Sequence, residues 1–306
     1  MISPTKKTSE SAINVLANHG KSFRFAGRFL DKRELHDCAR LYRFCRFIDD
    51  MVDEASAATA AREELRILKL QLEAGASSDP TVQDFIDLKN EYRMQSKVVN
   101  ELIRGIESDL DPVLIETESE LLRYCYRVAG TVGLLMCDVL HIFDTRARAH
   151  AIDLGIAMQL TNIARDVRED AELGRCYIPA QWLGEIKPNF LKKQSPLPTL
   201  SIKKALKRIL AIADNYYESG KLGIRFLPPR AKHGIRIAAL LYREIGVVIA
   251  ERDYDVYGER VYVNLPRKLL VAVRAIFYKN NDQPYLSHNS DLHIHLTGLP
   301  YSNEKS

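Results

Sequence analysis

Two acidic helical segments contain the residues whose types and spacing could do chemistry. In the stretch QLTNIARDVRED, the polar side chains that repeat at helical spacing are Gln159, Asn162, Asp166 and Asp170. At about 100° per residue they fall on one stripe, roughly 80° wide. All four offer hard oxygen ligands, which suit divalent cations such as Mg²⁺. Taken alone, the stripe is equally compatible with carboxylates that face water among neighbouring charges.

The second acidic segment, YRFCRFIDDMVDE, lies near the N-terminus and has the same organisation. Its stripe, about 60° wide, consists of Tyr42, Arg46, Asp49 and Asp53. If the two stripes face each other across a cavity, their four carboxylates repel one another strongly in a low dielectric. Bound cations turn that repulsion into coordination. The pair therefore predicts a magnesium site that grips a diphosphate, with these metal ligands: Asp49, Asp53, Asn162, Asp166 and Asp170.

A diphosphate held in this way could be hydrolysed, transferred or made a leaving group. The chain has no glycine-rich GxxxxGK[ST] loop, which argues against nucleotide phosphoryl transfer. The remaining chemistry is departure of diphosphate from an apolar carbon skeleton. Lys21, Arg46 and Arg165 could add charge-assisted hydrogen bonds to the phosphate oxygens. The carbocation left behind would need a dry pocket with tyrosine faces.

The apolar periodicity predicts helices throughout and no strand. The expected helices lie near residues 9–18, 59–74, 79–89, 94–109, 117–143, 147–173, 201–224, 230–255 and 263–278, with a further one opening at Asp31. Asp31 with Glu34, and Thr117 with Glu120, have the spacing of capping boxes. We expect an all-α, single-domain helical bundle. It would span residues 1–280, followed by a polar tail over 281–306.

Bulk properties restrict the class of protein. The chain has 306 residues, 46% of them hydrophobic, and a formal net charge of +4. This mild charge fits an anionic small substrate or a membrane surface, and we expect no nucleic-acid partner. Five cysteines without a ligand spacing indicate free thiols in a reducing compartment. His288, His293 and His295 in the tail lack a cysteine or carboxylate framework, so we expect no metal site there.

Three motifs resemble those of the squalene/phytoene synthase family, and the last resembles bacterial phytoene synthases in particular. They are YRFCRFIDDMVDE, YCYRVAGTVG and QLTNIARDVREDAELGRCYIP. The resemblance runs from about His19 to Leu270. It implies a helical bundle of the isoprenoid-synthase type with a central cavity. It also implies a prenyltransferase that joins two prenyl diphosphates head to head (1′–1) through a cyclopropyl diphosphate.

The resemblance also implies roles for particular residues. Asp49, Asp53, Asp166 and Asp170 match the two aspartate motifs, and Tyr124 matches a tyrosine that lines the cavity. Arg175 and Tyr177 are candidates for a lid over the site. Other matches are to residues that bind the substrate: His19, Lys21, Ser22, Tyr42, Arg46, Gln159, Asn162, Arg165 and Tyr242. Gly20 departs from the family's usual serine or alanine. Without the resemblance, His19 would be interpreted as a surface or capping residue. The tyrosines at positions 42, 124 and 242 would be interpreted as core aromatics.

The family offers several expectations about function. The first is a phytoene synthase that uses two geranylgeranyl diphosphates and Mg²⁺, with Mn²⁺ as a substitute ion and no NADPH. The alternatives are a dehydrosqualene or squalene synthase acting on farnesyl diphosphate, and a non-catalytic scaffold with the same fold. Because the product is insoluble, we expect transient docking on the membrane surface and hand-off to a carotenoid desaturase. The sequence shows no signal peptide or membrane span, so we expect a cytoplasmic protein peripheral to the inner membrane face.

Overall fold

The computed structural model describes residues 11–55, 57–184, 198–255, 258–277 and 287–302, and this part of the chain is a bundle of α-helices. The all-α prediction is therefore confirmed. The helices are α1 Ala12–His19, α2 Lys21–Gly27, α3 Lys32–Asp53, α4 Ala58–Ala74, α5 Pro80–Glu91, α6 Ser96–Glu107, α7 Glu118–Cys125, α8 Thr131–Val139, α9 Arg146–Arg165, α10 Val167–Glu172, α11 Ala180–Leu183, α12 Pro198–Gly223, α13 Pro229–Glu251 and α14 Leu265–Phe277.

Helix α9 lies at the centre of the bundle. It packs against α8, α12 and α13, and its apolar side chains are inaccessible to solvent, among them Ile152, Ile156 and Leu160. Full burial of such side chains contributes about 1.5–3 kcal/mol each. The apolar stripe of α3 is buried as well, including Phe44, whose ring stacks on Phe85. The two helices with acidic stripes are therefore anchored by their apolar faces.

Of the two capping boxes predicted from the sequence, one is complete in the structure and the other is formed only in part. Asp31 and Glu34 form a complete capping box, each accepting a hydrogen bond from the other's backbone N–H. Thr117 caps α7 by accepting from the Glu120 N–H at 3.2 Å. The Glu120 carboxylate, however, accepts from the Glu116 N–H at 2.8 Å instead of closing the box.

Two of the long predicted helices are interrupted. The segment 147–173 divides at Asp166, whose φ of −104° and ψ of 17° separate α9 from α10. The segment 117–143 contains a π-helical turn, Tyr126–Gly130, between α7 and α8. Such turns interrupt α-helices frequently at functional sites. Periodicity shows only which residues share a face, so neither interruption was visible in the sequence.

Close approach of α9 to the π turn and α8 depends on glycine. A β-carbon on Gly155 would lie 2.3 Å from the Ala129 carbonyl oxygen, and one on Gly133 would lie 2.2 Å from the Ala151 carbonyl oxygen. Both distances are far shorter than a van der Waals contact. The atoms that the β-carbon would meet belong to the backbone, which cannot move aside as a flexible side chain can. These glycines therefore permit the tight contact that supports one wall of the bundle.

The C-terminal segment 287–302 packs on the bundle. Tyr126 and Tyr216 each donate a 2.6 Å hydrogen bond to its backbone, at the carbonyls of Pro300 and Leu292. Arg123 donates to the His295 carbonyl at 3.0 Å. The placement of a domain boundary near residue 280 stays a prediction. Within the described ranges, no helix has both the length and the apolar character needed to span a bilayer.

We predict that Gly155→Ala destabilises the protein although alanine favours helix formation by about 1 kcal/mol. Overpacking against the Ala129 carbonyl should cost more, so the net loss in unfolding free energy should be about 1–3 kcal/mol. Urea denaturation followed by circular dichroism measures it. Gly246→Ala on α13 is the control, since its β-carbon would meet only the flexible end of Leu210 at 3.2 Å. Equal stability of the two variants would contradict the packing argument.

Candidate active site

An elongated cavity of about 1010 Å³ runs through the bundle, at the upper end of the ~300–1,000 Å³ usual for ligand pockets. Residues from Ala147 to Asp166 line it along the whole of α9. At 1.5 Å per residue this helix is about 30 Å long. The cavity is therefore a tunnel with one end near the start of α9 and the other near its end.

The two acidic stripes meet at the end of the tunnel where α3 and α9 terminate. Asp49 and Asp53 lie in the last two turns of α3, whereas Asp166 and Asp170 lie just beyond α9, and all four line the cavity. The tunnel thus has an acidic mouth. Its opposite end, around Ile142, Ala147, Gly223, Ile224 and Leu227, is mostly apolar.

Burial and mutual repulsion perturb the carboxyl groups at the mouth. The pKa of Asp49 is raised to about 7, first by burial and then by the nearby Asp53. The pKa of Asp170 is raised to about 8, again by burial and then by Asp166. Ionising these groups near neutral pH is costly without compensating positive charge. Compensating positive charge at the mouth would therefore favour their ionised forms.

Asp166 behaves differently because two arginines hold it. Arg165 binds its two carboxylate oxygens at 2.7 and 2.5 Å, and Arg260 binds them at 2.9 and 3.0 Å. Although burial would raise the pKa of Asp166, the hydrogen bonds from Arg165 and then Arg260 lower it overall. Asp166 is accordingly an ionised carboxylate at neutral pH.

An oxygen of Asn162 lacks a partner at the same end. Its Nδ2 donates to the Gln159 oxygen at 3.3 Å, but its Oδ1 is buried and accepts no hydrogen bond from the described residues. A buried acceptor without a partner costs about 1–3 kcal/mol. Together with the raised pKa values of Asp49 and Asp170, this oxygen fits a set of donors completed by a divalent cation.

The sequence analysis missed Asp109, which lies between the two stripes. It accepts hydrogen bonds of 2.9 Å from both Tyr124 and Tyr177, and burial raises its pKa to about 6. Asp109 also contributes to raising the pKa of Asp49 and of Asp170. It lies in a 3₁₀ turn outside both motifs, and no spacing signal identified it.

Tyr177 and the neighbouring Arg175 cover the mouth from the loop after α10. Arg175 donates to Asp53 at 2.7 Å, so it connects this loop to α3. Backbone pairing fixes the loop, because the Cys176 N–H donates to the Val113 carbonyl at 2.9 Å and the Ile115 N–H donates to the Cys176 carbonyl at 3.2 Å. Both residues line the cavity, and their role as a lid stays a prediction.

Further predicted residues lie along the tunnel near its mouth. Tyr42, Arg46 and Tyr242 all line the cavity. The ring of Phe23 stands between the two tyrosines, 6.2 Å from Tyr42 and 5.2 Å from Tyr242. Arg46 forms an ion pair with Asp50 one turn later on α3. These aromatic rings form a wall directly below the charged groups.

The side chains of His19, Lys21 and Ser22 lie outside the described part of the structure, so their predicted roles remain predictions. The backbone does place these residues at the junction of α1 and α2, which Gly20 separates. A β-carbon on Gly20 would lie 2.9 Å from Leu16 Cδ1 and 3.2 Å from Tyr42 Cζ. A larger residue at position 20 would therefore require the Leu16 side chain and the Tyr42 ring to shift.

Arg260 is the other functional residue that sequence reasoning missed. It follows α13 in the segment GERVYVN and reaches back 94 positions to Asp166. A lone arginine in a polar loop has no periodic signal. Only its bidentate contact with a predicted site residue identifies it.

We predict that the metal-free protein loses stability as pH rises from 6.5 to 8. In this window Asp49 and Asp170 release protons in the folded state, whereas unfolded aspartates, with an ordinary pKa of 3.8, have already done so. The folded state therefore binds more protons, and unfolding free energy falls with pH. Each group contributes a slope of at most about 1.4 kcal/mol per pH unit.

Urea denaturation in a chelator at both pH values measures this slope. Asp170→Asn should flatten it, whereas Asp111→Asn should not, since the Asp111 side chain is 68% exposed at the surface. His150, whose pKa burial lowers to about 4 from an ordinary 6.5, adds an opposite slope near pH 6.5, because its unfolded form still binds part of a proton there. This contribution is the same in the wild type and in both variants, so it cancels in the comparison. A slope unaffected by Asp170→Asn would refute the assigned cause.

Comparison with known proteins finds relatives that cover most of the chain. The family model described as squalene/phytoene synthase matches residues 16–267. A phytoene synthase of Pseudescherichia vulneris is 32% identical over 87% of this chain and 90% of its own length. One from Rhodobacter capsulatus is 36% identical over 83% of this chain and 77% of its own. A dehydrosqualene synthase structure superposes with a TM-score of 0.77 at 27% identity, covering 89% of this chain and 95% of that one. The chain belongs to the squalene/phytoene synthase family.

Proposed function

We propose that the protein is a phytoene synthase, which condenses two geranylgeranyl diphosphates head to head through a cyclopropyl diphosphate. The observation that carries the proposal is the pairing of two aspartate motifs across the mouth of a tunnel about 30 Å long. A tunnel of this length encloses extended prenyl chains beside α9, and its acidic mouth marks the diphosphate end. The relatives named phytoene synthases at 32% and 36% identity support the choice of reaction.

Divalent cations, Mg²⁺ first and Mn²⁺ as a substitute, complete the proposed site. Their ligands would be Asp49, Asp53, Asn162, Asp166 and Asp170, whose oxygens match the preference of Mg²⁺. When bound, the ions neutralise charge on the departing diphosphate as Lewis acids. The histidine-containing cluster elsewhere in the bundle does not have the oxygen-rich donor set that this role requires.

Cationic side chains at the mouth would hold the substrate diphosphates. The guanidinium groups of Arg165 and Arg260 both donate hydrogen bonds to the Asp166 carboxylate, and Arg175 donates to Asp53. Planar guanidinium groups bind phosphate oxygens in pairs, which orients a diphosphate as well as retaining it. Lys21 and Arg46 extend this set in the proposal.

The aromatic wall below the mouth is suited to a carbocation. Phe23, Tyr42 and Tyr242 would lie beside the first carbon of a prenyl diphosphate when its bond to the diphosphate breaks. Their ring faces stabilise positive charge, and the apolar surroundings exclude the water that would trap it. Tyr124 and Tyr177, stacked with ring centroids 4.6 Å apart, hold Asp109 beside the same region. These residues would guide the cation towards rearrangement and away from hydrolysis.

The closest rival function is dehydrosqualene or squalene synthesis from farnesyl diphosphate. The likeness to a dehydrosqualene synthase structure favours it as the second candidate. The chemistry at the mouth is the same for both substrates, so the distinction depends on the apolar end of the tunnel. A non-catalytic scaffold is disfavoured because buried carboxylates with raised pKa values give such a protein only instability.

Product analysis tests the reaction. The purified protein is incubated with Mg²⁺ and either geranylgeranyl or farnesyl diphosphate, with and without NADPH, and products are identified by mass. We expect phytoene from geranylgeranyl diphosphate without NADPH. Asp53→Asn and Asp166→Asn should each lower kcat at least about 100-fold, since they remove stabilisation of the leaving-group charge.

The surface variant Asp111→Asn is the control and should retain full activity. A thirty-carbon product alone would replace the proposed substrate by the shorter one. Absence of any product from either substrate would support the scaffold. Full activity of Asp166→Asn would overturn the assignment of the site.

We also propose that α14 docks the protein on a membrane surface. Leu265, Leu269 and Val273 follow one another at intervals of four residues and are at least half exposed. Basic residues flank this stripe, as in helices that lie in the headgroup region of anionic bilayers. Lys268 on α14, and Tyr262 just before it, line the tunnel. The stripe therefore adjoins an outlet through which a hydrocarbon product could reach the lipid and a desaturase.

Vesicle flotation tests the membrane surface. Wild-type protein should float with vesicles that contain anionic lipid, and the double variant Leu269→Ser/Val273→Ser should float several-fold less. The double variant Ile67→Ser/Leu70→Ser is the matched control, because those α4 side chains are similarly exposed, at 43% and 50%. Equal flotation of both variants would exclude α14 as the docking surface.

A further inference from the structure

A second cluster of polar side chains lies within the bundle, apart from the acidic mouth. Asp153 of α9 is completely buried, and two histidines of the C-terminal segment point at its carboxylate. The His293 Nε2 lies 2.8 Å from Oδ1, and the His288 Nε2 lies 2.7 Å from Oδ2. The sequence analysis expected no metal site at these histidines because it found no carboxylate beside them. That reasoning was wrong, since the fold supplies a carboxylate from 135 positions earlier.

The hydrogen bonds around His293 leave a position for a proton or a metal ion between its ring and Asp153. Its Nδ1 lies 3.2 Å from the Ser302 carbonyl oxygen, which can only accept, so Nδ1 donates this hydrogen bond. In a neutral ring the Nε2 then holds a lone pair, and this lone pair faces the Asp153 Oδ1 at 2.8 Å. Two facing lone pairs need a proton or a metal ion between them.

Neighbouring groups orient the carboxylate further. Ser219 of α12 donates its hydroxyl proton to Asp153 Oδ2 at 2.5 Å. Since that proton is used, His150 must donate from Nδ1 to the Ser219 oxygen across their 3.1 Å contact. A metal-bound carboxylate or histidine normally has such an outer partner, which fixes its orientation. Here the carboxylate has the Ser219 hydroxyl and His293 has the Ser302 carbonyl.

We propose that Asp153, His288 and His293 bind a transition-metal ion, Zn²⁺ foremost, that fastens the C-terminal segment to α9. Two imidazole nitrogens and a carboxylate are a common zinc ligand set. Their ligand atoms lie within 4.8 Å of one another. Mg²⁺ is disfavoured because it prefers oxygen ligands and retains water, whereas this cluster is nitrogen-rich and dry. The site would be structural, as its burial leaves little room for substrate.

The proposal is independent of the reaction at the acidic mouth, and a metal titration tests it directly. Purified full-length protein is stripped with a chelator, dialysed into excess Mg²⁺ to saturate the aspartates, and titrated with Co²⁺ or Zn²⁺. We expect one equivalent per chain, a visible Co²⁺ absorption band typical of nitrogen ligation, and a higher melting temperature with added Zn²⁺.

Glutamine variants separate coordination from hydrogen bonding. His288→Gln and His293→Gln keep a side chain that can donate to Asp153, yet each should weaken Co²⁺ binding at least about 100-fold. His295→Gln, on the same 3₁₀ turn Ser290–Leu296, is the control and should bind like the wild type. Asp53→Asn/Asp170→Asn should leave the titration unchanged, because it alters only the mouth.

Absence of stoichiometric Co²⁺ and Zn²⁺ binding by the wild-type chain would overturn the proposal. The cluster would then be a histidinium–carboxylate clamp, with a proton in place of the metal. Retention of wild-type affinity in both His288→Gln and His293→Gln would overturn it as well. Because these outcomes are read from the wild type and from conservative variants, a folding failure of Asp153→Asn would not affect the decision.

Discussion

Repulsion among closely spaced carboxylates at the tunnel mouth is the constraint on which the structure around the site depends. Asp49, Asp53, Asp109, Asp166 and Asp170 line one small region, and partial burial of all but the exposed Asp53 limits how far water can screen their charges. The pKa of Asp49 is raised to about 7 and that of Asp170 to about 8. The fold tolerates this only because large apolar faces anchor α3 and α9. Repulsion among these carboxylates both lowers the stability of the metal-free protein and favours the binding of cations.

Arginines form ion pairs with these carboxylates, and two of the three arginines come from segments remote in sequence. Arg175 holds Asp53, and Arg165 together with Arg260 holds Asp166. Groups that neutralise the carboxylates are the same groups that could grip a diphosphate. One set of cations can therefore support folding of the empty site and binding of an anionic substrate, which reduces the conflict between stability and function.

Helix α9 connects the main features of the molecule. Along one side it lines the tunnel, and glycine at position 155 lets it approach the π turn closely. Its end leads into the acidic mouth. Nearer its start, Asp153 receives the two histidines of the C-terminal segment. Fixing that segment by a metal ion would brace the helix that positions the aspartates, without any contact with the substrate.

The sequence by itself determined the fold class, the family and the two acidic stripes. These features are local or periodic: residues three and four apart share a helix face whatever surrounds them, and so Asp49 with Asp53 could be grouped without coordinates. The same logic located most helices. It could not reveal the break at Asp166 or the π turn Tyr126–Gly130, because apolar spacing is nearly unchanged across both.

Only the tertiary structure decided which distant residues meet. Asp109 and Arg260 carry no periodic signal, yet the fold places the first between the stripes and the second on Asp166. His288 and His293 were read as lacking a carboxylate because Asp153 lies on another helix. Contacts of this kind follow from how helices pack, and packing depends on shape and burial across the whole chain. Residue spacing therefore predicts which side chains share a helix face. Only the folded structure shows which residues of other segments meet them across a cavity.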